Sequence, residues 1–389
     1  MRVLQVIPVF NQRFGGPFTV VQTISKELVK RGHEVKILTT NAFSYTKDLV
    51  SKPVRYKQYG YEVISFPRSL YKLIPFNVSP QTLTFISDFI KWSDVIHLHS
   101  WRHFHDIVVC RYSKASHTPY VLQSHGSLVR KVGMKTVKLL YDFTLGLCVA
   151  KAASKIIALN RLEVFYAMKL GVPREKIVII PNGVELAEYK DLPRKGSFRK
   201  KFRIPATKKI ILYLGRIHWI KGLDILVKAC YLMKKCGYRN FVLVIVGPDD
   251  GYLHIIKRMV TQLRLQEFIL FTGPLYGKMK LAAYTDADVY VLPSRYETFP
   301  MTVLEAYACG VPVIASDIEG LKEIVVNGKT GYLFSLQSTM DLTTKILTLL
   351  TNEYLRKRFS KEAVKLVRTK FSVEKAVNLL EHVYERVVG

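Results

Sequence analysis

The chain lacks the features that mark membrane-spanning, disulfide-rich or zinc-stapled proteins. Its 389 residues include five cysteines and no Cys-x-x-Cys pair, which argues against a disulfide or zinc framework and for a reducing compartment. No apolar run approaches the ~20 residues that a membrane-spanning helix needs. The apolar part of the N-terminus is too short for a signal peptide and predicts a buried first strand instead. We therefore expect a cytoplasmic protein.

Acidic residues are also scarce. The sequence has 59 Lys and Arg against 30 Asp and Glu, a net charge of +29, and both halves of the chain share this excess. Such a charge favours anionic partners: nucleotide diphosphates, lipid phosphates, an acidic membrane face or nucleic acid. The sequence shows no zinc knuckle, RNP-like aromatic strand or KH-type loop. A basic nucleic-acid-binding protein is therefore the less favoured alternative.

Strand and helix patterns alternate from end to end, which predicts an α/β fold with two doubly wound parallel sheets. A chain of this length suits two domains of roughly 190 residues. Strands are predicted at Val3–Val9, Val35–Thr39, Glu62–Phe66, Val95–Leu98, Tyr120–Gln123, Ile156–Leu159, Ile177–Ile180, Ile210–Leu214, Phe241–Val246, Phe268–Phe271, Asp288–Leu292 and Val311–Ala315. The basic, Pro- and Gly-containing stretch 190–209 predicts an exposed interdomain connection with a short basic helix.

The most informative motif places one acid on each side of a helix start. Glu297 precedes the predicted helix and Glu305 lies about two turns inside it. Pro300 suits the first helical position, because its missing N–H would have no partner there. The backbone N–H groups of Met301 and Thr302 would then point at an anion. This arrangement predicts a nucleotide-sugar site, in which one acid holds sugar hydroxyls and the other the ribose diol.

A basic loop follows the first strand of the second half. Arg216 offers a planar guanidinium fork and Lys221 a compact ammonium, a pair suited to a diphosphate. The acidic pairs Asp286-x-Asp288 and Asp249-Asp250 have no obvious partners and are predicted to be structural. The sequence therefore offers no convincing carboxylate metal site.

The first half carries three weaker signals. Ser124-His125-Gly126 ends a predicted strand, where His125 could bind sugar hydroxyls or steady a reacting centre. The pair Gly15-Gly16 permits close approach of a phosphate or acceptor, although it matches no P-loop or G-x-G-x-x-G motif. The histidines at 97, 99, 103 and 105 could suggest zinc, but histidines at strand ends near a polar cleft explain them more easily.

Aromatic and basic residues are mixed in three segments of the first half: 56–61, 66–76 and 128–143. Such segments could form a basic amphipathic surface on anionic lipid. The competing interpretation of the third is a helix that packs on the sheet with a solvated basic end. A peripheral position on the inner membrane face is therefore possible in addition to a cytoplasmic one.

Taken together, these motifs resemble those of the GT-B glycosyltransferases of retaining family 4, the glycosyl transferases group 1. The resemblance covers essentially the whole chain. Its most specific part is the E-x7-E block, Glu297 to Glu305, together with the G-R…K-G loop. The remaining motifs are Gly15-Gly16, His97-Leu98-His99, Ser124-His125-Gly126 and Pro181-Asn182-Gly183-Val184.

The resemblance implies two Rossmann-like domains with an interdomain cleft. Residues 1–190 would form the acceptor-binding domain and residues 191–372 the nucleotide-sugar-binding domain. The C-terminal helix, about 373–389, would pack back onto the first domain. Many relatives have Gly where this chain has Pro300, so one backbone donor is missing at the helix start.

The resemblance also implies residue roles. Arg216 and Lys221 would bind the diphosphate and Glu305 the ribose. Glu297 and His125 are the expected catalytic residues at the donor sugar. The other donor-binding candidates are Gly16, Met301 and Thr302. No metal or other cofactor is expected, since the two cations and the helix start would neutralise the leaving diphosphate.

The implied reaction moves a hexose, with retention, from a UDP- or GDP-linked sugar to a hydroxyl of a glycan or lipid-linked acceptor. A GT-B epimerase is the enzymatic alternative and would release free nucleotide without an acceptor. A phosphorylase would need a pyridoxal lysine, which no segment suggests. The sequence names neither the sugar, the base, the acceptor nor the oligomeric state.

Overall fold

A computed structural model describes residues 1–12, 15–40, 53–67, 79, 81–128 and 135–389. The chain divides into two units. Unit 1 comprises Met1–Gly183 and Val373–Gly389, and unit 2 comprises Val184–Ser372. Each unit is built around one largely parallel sheet.

The strands of unit 1 are β1 (Arg2–Val9), β2 (Glu34–Thr40), β3 (Val54–Gln58), β4 (Tyr61–Phe66), β5 (Val95–Leu98), β6 (Tyr120–Gln123), β7 (Lys155–Ala158) and β8 (Ile177–Ile179). Among the described residues they form one sheet in the order β3-β4-β2-β1-β5-β6-β7-β8. All neighbours pair in parallel except β3, which is antiparallel to β4. The chain changes direction across the sheet between β1 and β5, so the loops after these strands meet at one edge.

The helices of unit 1 are α1 (Gly16–Lys30), α2 (Gln81–Trp92), α3 (Phe104–Ser116), α4 (Lys135–Tyr141), α5 (Leu147–Ala152), α6 (Arg161–Lys169) and the C-terminal α15 (Val373–Val388). A π-helical turn, Asp142–Gly146, joins α4 to α5. Helix α15 is fastened to the end of α1, because Arg31 Nη1 lies 2.6 Å from Glu381 Oε2 and His33 Nε2 lies 2.8 Å from Glu381 Oε1.

The strands of unit 2 are β9 (Lys209–Leu214), β10 (Phe241–Val246), β11 (Ile269–Gly273), β12 (Val289–Leu292), β13 (Val313–Ser316) and β14 (Gly331–Phe334). They pair in parallel in the order β11-β10-β9-β12-β13-β14. The helices are α7 (Ser197–Phe202), α8 (Leu223–Lys235), α9 (Leu253–Gln262), α10 (Gly277–Asp286), α11 (Met301–Ala308), α12 (Glu319–Lys322), α13 (Thr339–Thr351) and α14 (Glu353–Lys370). Here the reversal of strand order falls between β9 and β12.

The two parallel-sheet units confirm the predicted fold class. Their central strands are buried on both faces, as β10 shows along its whole length, and such strands appear in sequence as continuous apolar runs. Strands β3 and β14 lie at sheet edges and were not predicted from the sequence. Strand β3 is mostly exposed, so its sequence lacks an apolar run.

The prediction of an exposed interdomain connection at 190–209 is wrong. This segment lies inside unit 2, although its short basic helix exists as α7. Phe198 of α7 is fully buried. The buried carboxylate of Asp286 accepts hydrogen bonds from the backbone N–H groups of Gly196, at 2.5 Å, and Arg199, at 2.9 Å. The segment is therefore rich in basic side chains but is attached to unit 2 by Phe198 and by the hydrogen bonds to Asp286.

No helix in the described part of the chain has the length and apolar character required to cross a membrane.

We predict that Asp286→Ala lowers the free energy of unfolding by about 1–2 kcal/mol, because two helix-start N–H groups lose their acceptor. Hydrogen exchange should accelerate at residues 196–202. Asp191→Ala, which changes an exposed aspartate of the same segment, is the control and should leave both quantities unchanged. Unaltered exchange in Asp286→Ala would contradict the attachment of this segment to unit 2.

Candidate functional site

Two loops meet where the strand order of unit 2 reverses. One follows β9 and runs to Gly222, and the other follows β12 and runs to Pro300. The backbones are in close contact: Gly222 has φ +67°, and a Cβ there would lie 1.9 Å from the Pro293 carbonyl oxygen. The Arg295 N–H donates to the Ile220 carbonyl at 2.8 Å. Only glycine fits at position 222, which explains the Lys-Gly pair in the sequence.

The side chain of Arg295 joins the same two loops. Its guanidinium forms a two-pronged ion pair with Asp224 of α8, with distances of 2.9 Å from Nη1 to Oδ1 and 2.7 Å from Nη2 to Oδ2. It also donates to the Trp219 carbonyl at 2.7 Å. The sequence motifs predicted no role for Arg295. Its position in the block before Glu297 was the available signal, but the partner lies 71 residues away in sequence.

Lys221 and Glu297 meet across the loops. Lys221 Nζ lies 2.5 Å from Glu297 Oε1, and the Ser294 hydroxyl donates to the same oxygen at 2.8 Å. The side chains of Lys221 and Glu297 are only 17% and 10% exposed. The Glu297 backbone is equally enclosed, since a Cβ on Gly320 would lie 2.0 Å from its carbonyl oxygen. The predicted phosphate-binding cation and the predicted catalytic acid therefore form one ion pair.

Helix α11 starts one residue later than predicted. Pro300 is the N-cap, with extended backbone angles (φ −74°, ψ 119°), and Met301 is the first helical residue. The fixed φ of Pro300 is compatible with this extended conformation. In an α-helix the N–H groups of the first turn have no intrahelical acceptor, so those of Met301 and Thr302 are suited to an anion. The Thr302 hydroxyl is 2.8 Å from that of Tyr290 on β12.

Glu305 is the fifth residue of α11 and is almost fully buried. Lys280 Nζ lies 3.0 Å from Oε1, and the Tyr284 hydroxyl lies 3.1 Å from Oε2. Burial disfavours the charged form of Lys280, but the Glu305 carboxylate outweighs this effect and raises the pKa of the ammonium. Burial raises the pKa of Tyr284 well above its ordinary value, so this hydroxyl remains a donor. Lys280 and Tyr284 were missed, because α10 carries no recognisable motif.

Arg216 is the most accessible of these predicted residues. Its side chain is 47% exposed and its Nη1 lies 2.5 Å from Asp250 Oδ2. The Tyr213 hydroxyl fixes the Arg216 backbone through a 2.8 Å hydrogen bond to its carbonyl oxygen. The backbone is thus held while the guanidinium can exchange its carboxylate partner for a ligand.

Asp249, from one of the two acidic pairs, contacts the backbone of the helix that follows it. Asp249 Oδ1 accepts hydrogen bonds from the backbone N–H groups of Gly251, Tyr252 and Leu253 at 3.0–3.1 Å, which supports the start of α9. Among the described residues, no three His, Cys, Asp or Glu side chains are grouped so that they could hold a metal ion.

The candidates Gly16 and His125 lie in unit 1. Gly16 is the first residue of α1, and a Cβ there would meet nothing within 4 Å. His125 follows β6 with a left-handed backbone (φ 49°). Its loop is held by Glu163, which accepts from the Ser124 hydroxyl at 2.9 Å and from the Gly126 N–H at 2.5 Å. Glu163 was missed, since a buried glutamate on a helix is indistinguishable in sequence from a solvated one.

The imidazole of His125 contacts a second histidine. His125 Nε2 lies 2.9 Å from His99 Nδ1, and the ring of His99 stacks on that of His97 with centroids 3.8 Å apart. Burial lowers the pKa of His125 to about 4 and that of His97 to about 3. These imidazoles are therefore neutral near pH 7 and can act as hydrogen-bond donors or acceptors.

The structure thus brings the predicted unit 2 residues together at one sheet edge. The two cations and the helix start can bind an anion, and the two acids can accept hydrogen bonds from the hydroxyls of a diol. The predicted unit 1 residues Gly16 and His125 each follow a strand of the other sheet. Their roles stay predictions.

Comparison with known proteins agrees with this chemistry. Residues 194–366 match the family model for glycosyl transferases group 1, and residues 14–188 match that for glycosyltransferase family 4. The chain is 26% identical over 250 residues to the uncharacterized glycosyltransferase MJ1069 of Methanocaldococcus jannaschii, a match that spans 64% of this chain and 62% of that protein. It is 24% identical to the N-acetyl-alpha-D-glucosaminyl L-malate synthase of Bacillus anthracis, over 96% of this chain and 94% of that one.

The fold is similar to that of Anabaena Alr3699/HepE, which was solved in complex with UDP and glucose. The TM-score is 0.81 and the sequence identity 19%, with 99% of this chain and 100% of that chain covered. One glycosyltransferase model matches most of each unit, and both units have the expected sheets. The chain therefore belongs to the glycosyltransferases of GT-B fold and family 4 type.

Proposed function

We propose that this glycosyltransferase moves a hexose, with retention and without a metal, from a UDP- or GDP-linked sugar to a hydroxyl of a glycan or lipid-linked acceptor. The observation that carries the proposal is the cluster at the β9–β12 switch point. There Lys221 pairs with Glu297 beside the start of the helix that carries Glu305. Parallel α/β sheets bind ligands at such switch points.

The diphosphate is assigned to Lys221 and Arg216. Each has one carboxylate neighbour, Glu297 and Asp250 respectively, which keeps the cation in place until phosphate oxygens arrive. The N–H groups at the start of α11 add a partial positive charge on the same side. As the bond to the anomeric carbon breaks, these groups stabilise the growing charge on the leaving diphosphate.

The ribose diol is assigned to Glu305. An ionised carboxylate offers about four acceptor positions. Lys280 and Tyr284 occupy one on each oxygen, which leaves one on each for the two adjacent ribose hydroxyls. Holding the carboxylate from both sides also fixes its orientation before the nucleotide binds.

The hexose is assigned to Glu297, His125 and Gly16. Glu297 is held by Lys221 and Ser294, so its orientation is fixed. His125 is neutral and can hydrogen-bond a sugar hydroxyl. Gly16 leaves open space at the start of α1. Retention, which means attack of the acceptor hydroxyl on the face that the diphosphate leaves, is supported by the motifs shared with family 4.

The acceptor is expected to be anionic or held at an anionic membrane. The net charge of +29 far exceeds what a diphosphate requires. The relative from Bacillus anthracis is named N-acetyl-alpha-D-glucosaminyl L-malate synthase. Malate is an anion, which agrees with this expectation. An exposed apolar strip supports the membrane alternative: Leu139, Leu140 and Phe143 in unit 1 are 42%, 68% and 62% exposed.

The occupant that we propose for this strip is an anionic bilayer. The three side chains follow one another at helical spacing along α4 and the π-helical turn, with Lys138 beside them. Apolar side chains next to cations are typical of surfaces that insert shallowly into anionic lipid. Residues 129–134 of the predicted segment 128–143, and residues 68–76 of the segment 66–76, lie outside the described residues.

We predict that the protein binds a nucleoside diphosphate more tightly than the monophosphate. Arg216→Ala and Lys221→Ala should each weaken UDP or GDP binding by about one to two decades, because each removes a charge-assisted contact. Calorimetry with and without EDTA measures both the affinities and the metal independence. Arg258→Ala and Lys228→Ala change exposed cations of α9 and α8 and serve as matched controls. Unchanged affinity in both site variants would end the assignment.

We predict that loss of the two acids affects different kinetic constants. Glu305→Gln should chiefly raise the KM for the donor, since its ribose contact is made before reaction. Glu297→Gln and His125→Ala should chiefly lower kcat, by about 10²-fold or more, if their contacts strengthen in the transition state. Steady-state kinetics separates the two classes. Full turnover in both Glu297→Gln and His125→Ala would contradict their catalytic roles.

We predict that the protein sediments with anionic vesicles and that salt weakens this binding, because each Lys or Arg near the leaflet contributes about 1 kcal/mol. Replacing Leu140 and Phe143 by Ser should reduce binding several-fold at equal charge. Tyr354→Ser, which changes a 75% exposed aromatic residue of unit 2, is the control. Equal binding to neutral and anionic vesicles at low salt would refute the docking surface.

A further inference from the structure

A buried group of polar side chains in unit 1 extends from His125 to the C-terminal helix. Its members besides His125 are Gln5, His97, His99, Gln123, Asn182 and Tyr384, each 6% exposed or less. Burying polar groups costs free energy unless each is hydrogen-bonded. Sugar binding by His125 accounts for only one of these side chains, so the role of the others has to be found in how they connect.

The contacts form two segments. In the first, His125 Nε2 lies 2.9 Å from His99 Nδ1, and His99 Nε2 bonds Gln5 Oε1. In the second, the Tyr384 hydroxyl lies 2.6 Å from His97 Nδ1. The stacking of the His97 and His99 rings holds the two segments side by side.

Three buried atoms of the group have no partner at ordinary hydrogen-bond geometry among the described residues: Gln5 Nε2, His97 Nε2 and Gln123 Oε1. Each nevertheless has a complementary neighbour. The Gln5 side chain interacts with the Tyr384 hydroxyl, and the Gln123 side chain with His97. We take both interactions to be hydrogen bonds, which join the two segments through Gln5 and Tyr384.

The order of donors and acceptors follows from the orientation of the Gln5 amide, whose oxygen bonds His99 and whose nitrogen therefore serves Tyr384. The Gln5 nitrogen only donates, so the Tyr384 oxygen accepts from it and gives its own hydrogen to His97 Nδ1. His97 then carries its hydrogen on Nε2, opposite the Gln123 oxygen. Gln123 Nε2 in turn donates to Asn182 Oδ1 at 3.5 Å, which agrees with this orientation.

The oxygen of the Gln5 amide determines which atoms donate and which accept between Gln5 and His125. The Gln5 oxygen only accepts, so His99 carries its hydrogen on Nε2 and accepts at Nδ1. His125 must then donate from Nε2, which leaves a lone pair on its Nδ1. All three rings are neutral near pH 7, because burial lowers their pKa values.

We propose that Tyr384, on the last helix of the chain, is a positioning residue that orients Gln5 and thereby fixes His125 in the tautomer with hydrogen on Nε2. The consequence, that Nδ1 accepts a hydrogen bond from a sugar hydroxyl, rests on the proposed function. The tautomer itself does not. The His-x-His motif and Asn182 acquire a role in this chain that the donor site did not give them.

The test is the tautomer of His125 in the full-length chain labelled with ¹⁵N-histidine. Long-range ¹H–¹⁵N spectra distinguish hydrogen on Nε2 from hydrogen on Nδ1, and His125→Gln identifies the signals by their loss. The expected result at neutral pH is hydrogen on Nε2. Hydrogen on Nδ1 in the unmodified protein would overturn the proposal, whatever any variant does.

Tyr384→Phe tests the positioning role, since it removes the hydroxyl and keeps the ring. Gln5 can then rotate, so a second tautomer of His125 should appear and turnover should fall about 2- to 10-fold, the effect of one hydrogen bond. Tyr120→Phe is the control: Tyr120 is equally buried and its hydroxyl bonds the Val149 carbonyl. A wild-type tautomer in Tyr384→Phe would overturn the positioning role. The expected tautomer together with full turnover in His125→Ala would contradict only the catalytic assignment.

Discussion

The ion pair between Lys221 and Glu297 is the interaction on which the unit 2 site depends. It joins the loops after β9 and β12 at a distance of 2.5 Å, and both partners are largely excluded from water. A pair so enclosed is stable only with good geometry and further hydrogen bonds. Ser294 supplies one such bond. The Gly222–Pro293 contact and the Arg295–Asp224 fork hold the backbones that carry the two charges.

Two other buried acids, Glu163 and Glu305, are likewise held by several hydrogen bonds. Just after β7, the Glu163 carboxylate accepts a hydrogen bond from the Leu159 N–H at 2.7 Å. Glu305 instead is held by Lys280 and Tyr284 from helix α10. Glu163 also accepts from Gly126, 37 residues earlier, and Lys280 lies 25 residues before Glu305. Residues distant in sequence therefore help to hold both the His125 loop and Glu305.

The sequence was sufficient for the fold because buried parallel strands are continuous apolar runs. It was also sufficient for the family, since the E-x7-E block and the basic loop are specific. It could not show the contacts of Lys280 with Glu305, of Arg295 with Asp224 or of Glu163 with Ser124, which join residues 25 to 71 positions apart. The prediction that residues 190–209 form an exposed connection was wrong, because charges and prolines indicate exposure while the burial of Phe198 leaves no pattern in the sequence. The edge strand β3 was not predicted because it is exposed and largely polar, and β14 was not predicted because its apolar run is only three residues long.

The most direct test of this account is transfer of label from a panel of radiolabelled nucleotide sugars, UDP- and GDP-linked, in the presence of a membrane lipid extract or soluble anionic acceptors. The account predicts that one donor loses its hexose to an acceptor with release of nucleoside diphosphate, and that Lys221→Ala abolishes most of this transfer while Lys228→Ala does not. Release of free nucleotide without any labelled acceptor, or equal transfer by both variants, would contradict it.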